Sequence, residues 1–127
     1  MNNLNVLRAE YLTAIEISKH IAENSIGIVP IGCFEAHGPH LPLGTDSMIT
    51  EGFAVKIAQH LGAIIFPTIS YSFAETTHKL AGTLSINPDI IRNYVKNICS
   101  EIIRQGFKKV VLLSMHGGND LFLPLVC

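Results

Sequence analysis

The sequence predicts an α/β fold with a mostly parallel sheet, and two observations carry that prediction. Three short, uncharged runs rich in β-branched and other apolar residues have the composition of buried strands, at residues 25–31, 63–67 and 110–113. Each run follows a segment with helical periodicity, so helices and strands alternate along the chain. That alternation is typical of parallel strands joined by right-handed crossovers.

The first helix is marked by a capping box. Thr13 is placed to cap the helix and Glu16 follows three residues later, which is the sequence signature of a helix start. The helix is expected to end at about Glu23, with Ile17 and Ile21 facing inward.

The second helix has apolar residues at every fourth position, which predicts one buried stripe. Asp46 or Ser47 is expected to cap its start, and Gly62 to follow its end. The expected stripe consists of Ile49, Phe53, Ile57 and Leu61. His20 on the first helix and His60 on the second are both expected to face solvent.

The third helix has the clearest start in the chain. Asn87, Pro88 and Asp89 supply in turn an N-cap, a proline at the first helical position and an acid in the first turn. Its predicted inner face is Ile91, Tyr94, Val95, Ile98 and Ile102. No period dominates residues 68–84, which are expected to form a loop with at most one strand, near residues 69–73.

Composition and charge bound the class of protein. The 127 residues are expected to form one domain, residues 1–127, with 48% hydrophobic residues and a mean hydropathy of +0.37 to supply its core. A net charge of −1 without a basic patch argues against nucleic acid and membranes as partners. The N-terminus lacks the pattern of a signal peptide and the three cysteines are widely spaced, so a cytoplasmic location with reduced thiols is expected.

Two glycine-rich loops carry the candidate metal ligands, and each directly follows a predicted strand. The loop at residues 32–46 holds the candidates Glu35, His37, His40 and Asp46. The loop at residues 114–120 holds His116, and both loops would open at the same edge of a parallel sheet. Imidazole and carboxylate groups are the usual ligands of zinc, manganese and iron, so we predict one metal site; the alternative is a polar surface loop with incidental histidines. Cys33 beside the site is expected to be a small buried thiol.

Taken together, the two loops resemble the signatures of the creatininase (creatinine amidohydrolase) family. The first signature is similar to residues 32–46, which have the sequence G-C-F-E-A-H-G-P-H-L-P-L-G-T-D. A second signature, a histidine shortly before Gly-Thr, is matched by His78 and residues 82–83. The third, H-G-G-N, is matched by residues 116–119, and the resemblance covers roughly residues 26–119.

The resemblance implies a three-layer α/β/α sandwich and a homo-oligomer, which is a hexamer in the family. It also implies hydrolysis of a non-peptide C–N bond in a small-molecule cyclic amide or formamide, by water activated on one or two divalent ions of zinc, manganese or iron. By position, the metal ligands would be Glu35, His37, Asp46 and His116, with Asp46 bridging the two ions. Residues expected around the metal or in the substrate pocket are His40, His78, Gly117, Gly118 and Asn119.

Two departures from the family pattern limit what the resemblance implies. Some members carry a metal-binding glutamate at the position of Gly118, and members with glycine there draw one from a later segment that is absent here. Family members also continue for about as long again, so the chain resembles the N-terminal half only of an incomplete domain. The acid that protonates the leaving nitrogen is expected from that absent half, so no catalytic residue is assigned.

Three functions stay open at this point. The first is metal-dependent amide hydrolysis, and the second is a catalytically inactive truncated fragment that binds metal or serves as an assembly subunit. The third is a metal-dependent phosphoesterase, which is disfavoured because no Asp-x-His follows the first strand and no Lys or Arg is placed for phosphate. The apolar tail at residues 121–127, with Pro124 breaking any helix, has no predicted partner to bury it, so the chain is expected to associate.

Overall fold

The structure is a computed structural model that describes residues 6–126, and these form three α-helices around a three-stranded parallel sheet. The α-helices are α1 (Ala14–Glu23), α2 (Thr45–Leu61) and α3 (Pro88–Arg104). The strands are β1 (Ile26–Ile31), β2 (Ile64–Ile65) and β3 (Lys109–Ser114). Short 3₁₀ helices cover Ala9–Tyr11, Glu75–Thr77, Gly117–Leu121 and Leu123–Leu125. The predicted α/β fold class with a parallel sheet is confirmed.

The register of the sheet brings the two special loops to one edge. The strand order is β2-β1-β3, so β1 lies in the centre. β1 and β3 pair along their whole lengths, and Ile31 at the end of β1 lies opposite Ser114 at the end of β3. The loops that follow both strands therefore leave the sheet side by side, as expected for parallel strands.

Side chains from β1 alternate between two cores, one on each face of the sheet. Ile28 packs with Ala54 and Ala58 of α2 on one face. Val29 and Ile31 contribute to the other core, against α1 and α3. Helices thus cover both faces, which confirms the α/β/α layering. The core on the α1 and α3 face has these buried members: Val29, Ile31, Ile64, Ile91, Val95, Ile102, Phe107, Phe122 and Val126.

Two of the predicted helix starts are confirmed and one is wrong. α1 begins with the capping box of Thr13 and Glu16, and Asn87 caps α3 through its side chain. The prediction that Asp46 or Ser47 caps α2 is wrong, because the helix already begins at Thr45 after an N-cap without a side-chain hydrogen bond. The carboxylate of Asp46 is consequently free of a capping role and lies buried in the first turn.

The predicted buried face of α2 is wrong for three of its four residues. Ile49, Phe53 and Leu61 are 45%, 47% and 43% exposed, whereas Ile57 is partly buried and packs against the core. The helix instead buries small and polar residues, namely Thr45, Asp46, Thr50, Ala54 and Ala58. Small side chains let the helix axis lie close to the sheet. A series with a residue at every fourth position also does not stay on one face, because a helix has 3.6 residues per turn, so the predicted series turns away from the sheet along the helix.

Four smaller expectations need correction. Tyr94, predicted on the inner face of α3, is 53% exposed, whereas His20, predicted to face solvent, is buried. β3 is only half-buried and β2 spans two residues, so both strands are weaker than the apolar runs suggested. The strand expected near residues 69–73 is reduced to isolated bridges of Ile69 and Ser72. His60 is exposed, as predicted.

The apolar tail folds back on the sheet for part of its length. Phe122 and Val126 are buried in the core that also contains α3, so the expectation that nothing buries the tail is wrong for them. Leu121 and Leu125 remain 58% and 60% exposed. Pro124 lies in a 3₁₀ helix, which is consistent with its predicted interruption of an α-helix. No helix among residues 6–126 has the length and apolarity to cross a membrane.

Candidate metal centre

Three buried ligand-type side chains from separate parts of the chain meet where β1 and β3 end. Glu35 comes from the loop after β1, Asp46 from the first turn of α2, and His116 from the loop after β3. The Nδ1 atom of His116 lies 3.1 Å from Oε1 of Glu35 and 2.9 Å from Oδ2 of Asp46. The structure thus brings together three of the four predicted ligands in one buried cluster.

The other ring nitrogen of His116 fixes the orientation of the ring. Nε2 lies 2.7 Å from the carbonyl oxygen of Phe73. Because a carbonyl oxygen can only accept, Nε2 donates a hydrogen bond to it, and Nδ1 is held towards the carboxylates of Glu35 and Asp46. Two carboxylates that converge on one buried nitrogen call for a positive charge there, either a proton or a metal ion.

His37 repeats this arrangement on the opposite oxygen of Asp46. Its Nδ1 atom lies 3.1 Å from the carbonyl oxygen of Glu35, and its Nε2 atom lies 3.0 Å from Oδ1 of Asp46. Burial lowers the pKa of His37, but the Glu35 carbonyl and the Asp46 carboxylate outweigh it, so the pKa is raised above its ordinary value. In the absence of a metal ion, protonation of Nε2 supplies a positive charge next to the carboxylate of Asp46.

Asp46 lies between the two imidazoles and has one unsatisfied oxygen. Oδ2 is buried and has no hydrogen-bond partner, and its nearest charged neighbour is Nδ1 of His116 at 2.9 Å. An unpaired buried carboxylate oxygen is costly, and a divalent ion would satisfy it. The residues present therefore fit a divalent cation, and each oxygen of Asp46 faces a different imidazole nitrogen.

Cys33 lies closer to the cluster than its sequence position suggested. Its sulfur and the ligand atoms of Glu35, Asp46 and His116 all lie within 4.8 Å of one another. Cys33 is fully buried, as predicted, and burial together with the charges of Glu35 and Asp46 raises the pKa of its thiol to about 11. The sequence placed Cys33 beside the site as a buried thiol but not among the candidate ligands, although Cys33 precedes Glu35 by the same two residues that separate Glu35 from His37.

The loop between β2 and α3 braces the first ligand loop. The hydroxyl of Thr77 donates a hydrogen bond to Oε2 of Glu35, which leaves Oε1 to face His116. The backbone N–H of Ala36 donates to Oγ1 of Thr83 over 2.9 Å. Sequence reasoning missed Thr77, because no motif marks a residue that contacts a ligand rather than the metal.

Asn119 joins three segments behind the cluster. It is fully buried, and its Nδ2 atom donates to the carbonyl oxygens of Ile31 and Gly32 and, over 2.9 Å, to Oγ of Ser114. Its Oδ1 atom accepts a hydrogen bond from the hydroxyl of Ser72. Its contacts are therefore with loop backbone and serines, so it fixes the ends of both strands relative to the loop before α3.

The two glycines of the second loop differ in their surroundings. A Cβ on Gly118 would overlap the imidazole of His116 and the carbonyl of Phe73, so no side chain fits there without a shift. Gly117 is exposed, and a Cβ there would meet nothing within 4 Å. Close packing behind His116 thus explains one glycine of the motif but not the other.

His40 and His78 are not part of the cluster. Both are exposed, and Nδ1 of His78 lies 2.6 Å from the carbonyl oxygen of Glu75. A place for either residue in a substrate pocket remains a prediction. Among residues 6–126, the grouped ligand atoms are those of Cys33, Glu35, Asp46 and His116.

Comparison with known proteins supports the resemblance seen in the loops. Residues 10–127 match the creatininase family model, described as creatinine amidohydrolase. Creatinine amidohydrolase of Pseudomonas putida is 24% identical over 107 residues, which cover 80% of this chain and 41% of that protein. The 2-amino-5-formylamino-6-ribosylaminopyrimidin-4(3H)-one 5'-monophosphate deformylase of Methanosphaera stadtmanae is 31% identical over 124 residues, covering 94% of this chain and 51% of that protein.

Solved structures agree on the fold. A manganese creatininase and a zinc–zinc form of a creatininase mutant match with TM-scores of 0.90 and 0.89. Each is 23% identical in sequence, and the match covers 95% of this chain and 49% of that chain. The chain therefore spans about half the length of the proteins that it matches.

Proposed function

Since this chain belongs to the creatininase (creatinine amidohydrolase) family, we propose that it supplies the metal centre of a hydrolase that cleaves a non-peptide C–N amide bond. The proposed substrate is a small cyclic amide or formamide, because its relatives include a creatinine amidohydrolase and a deformylase. One observation carries the proposal: two imidazole nitrogens face the two oxygens of Asp46, one on each side. A polar surface loop has no reason to bury two carboxylates against imidazole nitrogens.

The proposed ligands are Glu35, His37, Asp46 and His116, which would hold one or two divalent ions. Mixed nitrogen and oxygen donors suit zinc, manganese or iron. When bound, such an ion lowers the pKa of water from about 15.7 toward about 7 and so supplies a nucleophile at neutral pH.

The chain's own residues would position this centre and admit the substrate. Backbone carbonyls fix both imidazoles, and Thr77 fixes Glu35, so the ligands are oriented before any ion binds. The side chain of His37 is 22% exposed, compared with 8% for Asp46. The substrate would therefore approach from the His37 side.

A second candidate function is a catalytically inactive subunit that binds metal or assembles with other chains. It is favoured because all four proposed ligands come from this chain. The chain would therefore bind metal whether or not it also catalyses a reaction. It is also favoured because no general acid is assigned among the described residues. Loss of a general acid typically costs about 10² to 10⁴ in rate.

Metal content and turnover of the purified chain test both candidates. The wild-type chain is expected to retain at least one ion, measured by elemental analysis beside intact mass, while Asp46→Ala and His116→Ala lose it. His60→Ala is the matched control, because His60 is exposed at the end of α2. Equal metal content in all variants would contradict the proposed centre. Turnover of creatinine or simple formamides at about 1 s⁻¹ or faster would favour a complete catalyst over the inactive subunit.

The proposed assembly is a homo-oligomer. Its support is the exposed apolar surface formed by Ile49 and Phe53 on α2 and by Leu121 and Leu125 in the tail. Sedimentation at micromolar concentration tests it, and a stable monomer would contradict it.

A further inference from the structure

We propose that Cys33 is a thiolate ligand of the metal centre and gives that centre a preference for a thiophilic ion such as zinc. The inference rests on the proposed function, because it assumes that Glu35, Asp46 and His116 hold a divalent ion. It adds a fourth donor of a different chemical class to the nitrogen and oxygen donors of the family motif.

The geometry of the cluster carries this inference. The sulfur of Cys33 and the ligand atoms of Glu35, Asp46 and His116 all lie within 4.8 Å of one another. Bond lengths near 2.0 Å to nitrogen or oxygen and near 2.3 Å to sulfur place donors of one zinc ion about 3 to 4 Å apart. A displacement on the order of 1 Å would therefore let all four donors share one ion.

A second observation points to a cation at the same place, independently of the cysteine. Oδ2 of Asp46 is buried without a hydrogen-bond partner, and Asp46 as a whole is 6% exposed. It shares the cluster with Cys33, which is fully buried. A buried site with an unpartnered carboxylate oxygen and a sulfur close by has the donors that zinc takes in proteins.

The coordination step balances in charge and atoms. The S–H bond of Cys33 is replaced by a sulfur–metal bond, and the proton leaves to solvent. Three anionic donors and one neutral imidazole then surround a dication. Thiolate is a soft ligand that favours zinc over manganese or magnesium, so the sulfur would add to the preference for zinc over manganese that nitrogen and oxygen donors already give.

Cobalt substitution reads out the sulfur directly. The cobalt-loaded wild-type chain is expected to show a near-ultraviolet thiolate-to-cobalt absorption band. Cys33→Ser should lose the band while still binding cobalt, and its preference for zinc over manganese should fall by at least about tenfold, the lower end of what loss of an outer partner costs. Cys99→Ser is the matched control and should keep the band, since Cys99 lies on α3 and outside the cluster.

X-ray absorption of the zinc-loaded wild-type chain keeps the test independent of any variant's folding. A sulfur neighbour at about 2.3 Å from zinc supports the proposal. Bound zinc or cobalt with only nitrogen and oxygen neighbours overturns the role of Cys33 and leaves the proposed metal centre intact. A band that disappears in Cys99→Ser instead of Cys33→Ser overturns the assignment as well. Absence of any bound ion in the wild-type chain overturns both proposals.

Discussion

Asp46 faces one imidazole on each side, and the two sides differ in burial and in the number of donors. On one side the His116 side chain is 7% exposed and is accompanied by Glu35 and Cys33. On the other side the His37 side chain is 22% exposed, and its one side-chain partner in the cluster is Asp46. A buried, donor-rich side would hold an ion firmly, whereas an open, donor-poor side would leave positions for exchangeable ligands. In the proposed centre, the difference would separate retention of the ion from access by substrate.

The largest expected effect comes from removing the residue that both sides share. Asp46→Ala should abolish stabilisation by zinc, because each imidazole loses its carboxylate partner. Zinc at about a hundred times its Kd should stabilise the wild-type chain by about 2.7 kcal/mol, measured from denaturant unfolding with and without the ion. Asp89→Ala is the control, since its side chain is 74% exposed on α3. Equal stabilisation of Asp46→Ala and wild type would remove Asp46 from the centre.

The two histidines can then be compared directly. We expect His116→Ala to weaken zinc binding more than His37→Ala, by a factor of at least about ten. Loss of a residue that only contacts a metal ligand already weakens metal binding about 10- to 100-fold, and His116 lies on the side with more donors. Titration calorimetry of both variants measures the ratio. Equal losses would show that burial does not distinguish the two sides, and a larger loss in His37→Ala would reverse the comparison.

A smaller effect is expected at the hydroxyl that orients Glu35. Thr77→Val removes the hydrogen bond to Oε2 of Glu35 and should weaken zinc binding about 10- to 100-fold. Thr77→Ser keeps a hydroxyl and should restore most of the affinity, whereas Thr76→Val, at an exposed neighbour, should change nothing. An unchanged affinity in Thr77→Val would show that Glu35 needs no such support.

The smallest effect tests whether burial of an imidazole suffices to bind an ion. His20 is 9% exposed, similar to His116 at 8%, and its buried Nε2 atom has no hydrogen-bond partner. His20→Gln should leave metal content unchanged. A loss of zinc in this variant would mean that burial rather than the facing carboxylates governs binding.

His20 also predicts a dependence of stability on pH. Burial lowers its pKa below the ordinary 6.5, against a weaker opposing effect of Glu23. As the pH falls through 6.5, the unfolded chain binds more protons than the folded chain. The contribution of His20 to the free energy of unfolding is therefore present above pH 6.5 and is lost as the pH falls towards the lowered pKa. The urea midpoint should fall more between pH 7 and pH 5 in the wild type than in His20→Gln, and His60→Gln is the exposed control. Equal falls would contradict this.

The sequence predicted the fold well because each signal was local and strong. The capping box at Thr13 and the cap, proline and acid from Asn87 to Asp89 mark two helix starts, and three apolar runs mark the strands. The parallel direction of the strands follows from the alternation of helices and strands, and their register places Ile31 beside Ser114. The choice of buried face on α2 could not be predicted, because close packing on the sheet favoured alanines over larger apolar residues.

The candidate site also has a part that the sequence predicted and a part that it did not. The motif marked Glu35, Asp46 and His116, which the fold brings within contact of one another. Thr77 could not be found from sequence, because its contact with Glu35 joins residues 42 positions apart across an irregular loop. The burial of His20 likewise depends on tertiary packing rather than on a pattern within α1. Local signals thus identified the candidate ligands, and only the folded chain shows what orients them.

The crowding behind His116 determines what position 118 can carry. A Cβ on Gly118 would overlap both the imidazole of His116 and the carbonyl that orients it. A glutamate introduced at this position would therefore push the imidazole away from Glu35 and Asp46, unless the loop before α3 moved as well. The position of one backbone carbonyl thus decides whether the second loop has room for a further carboxylate.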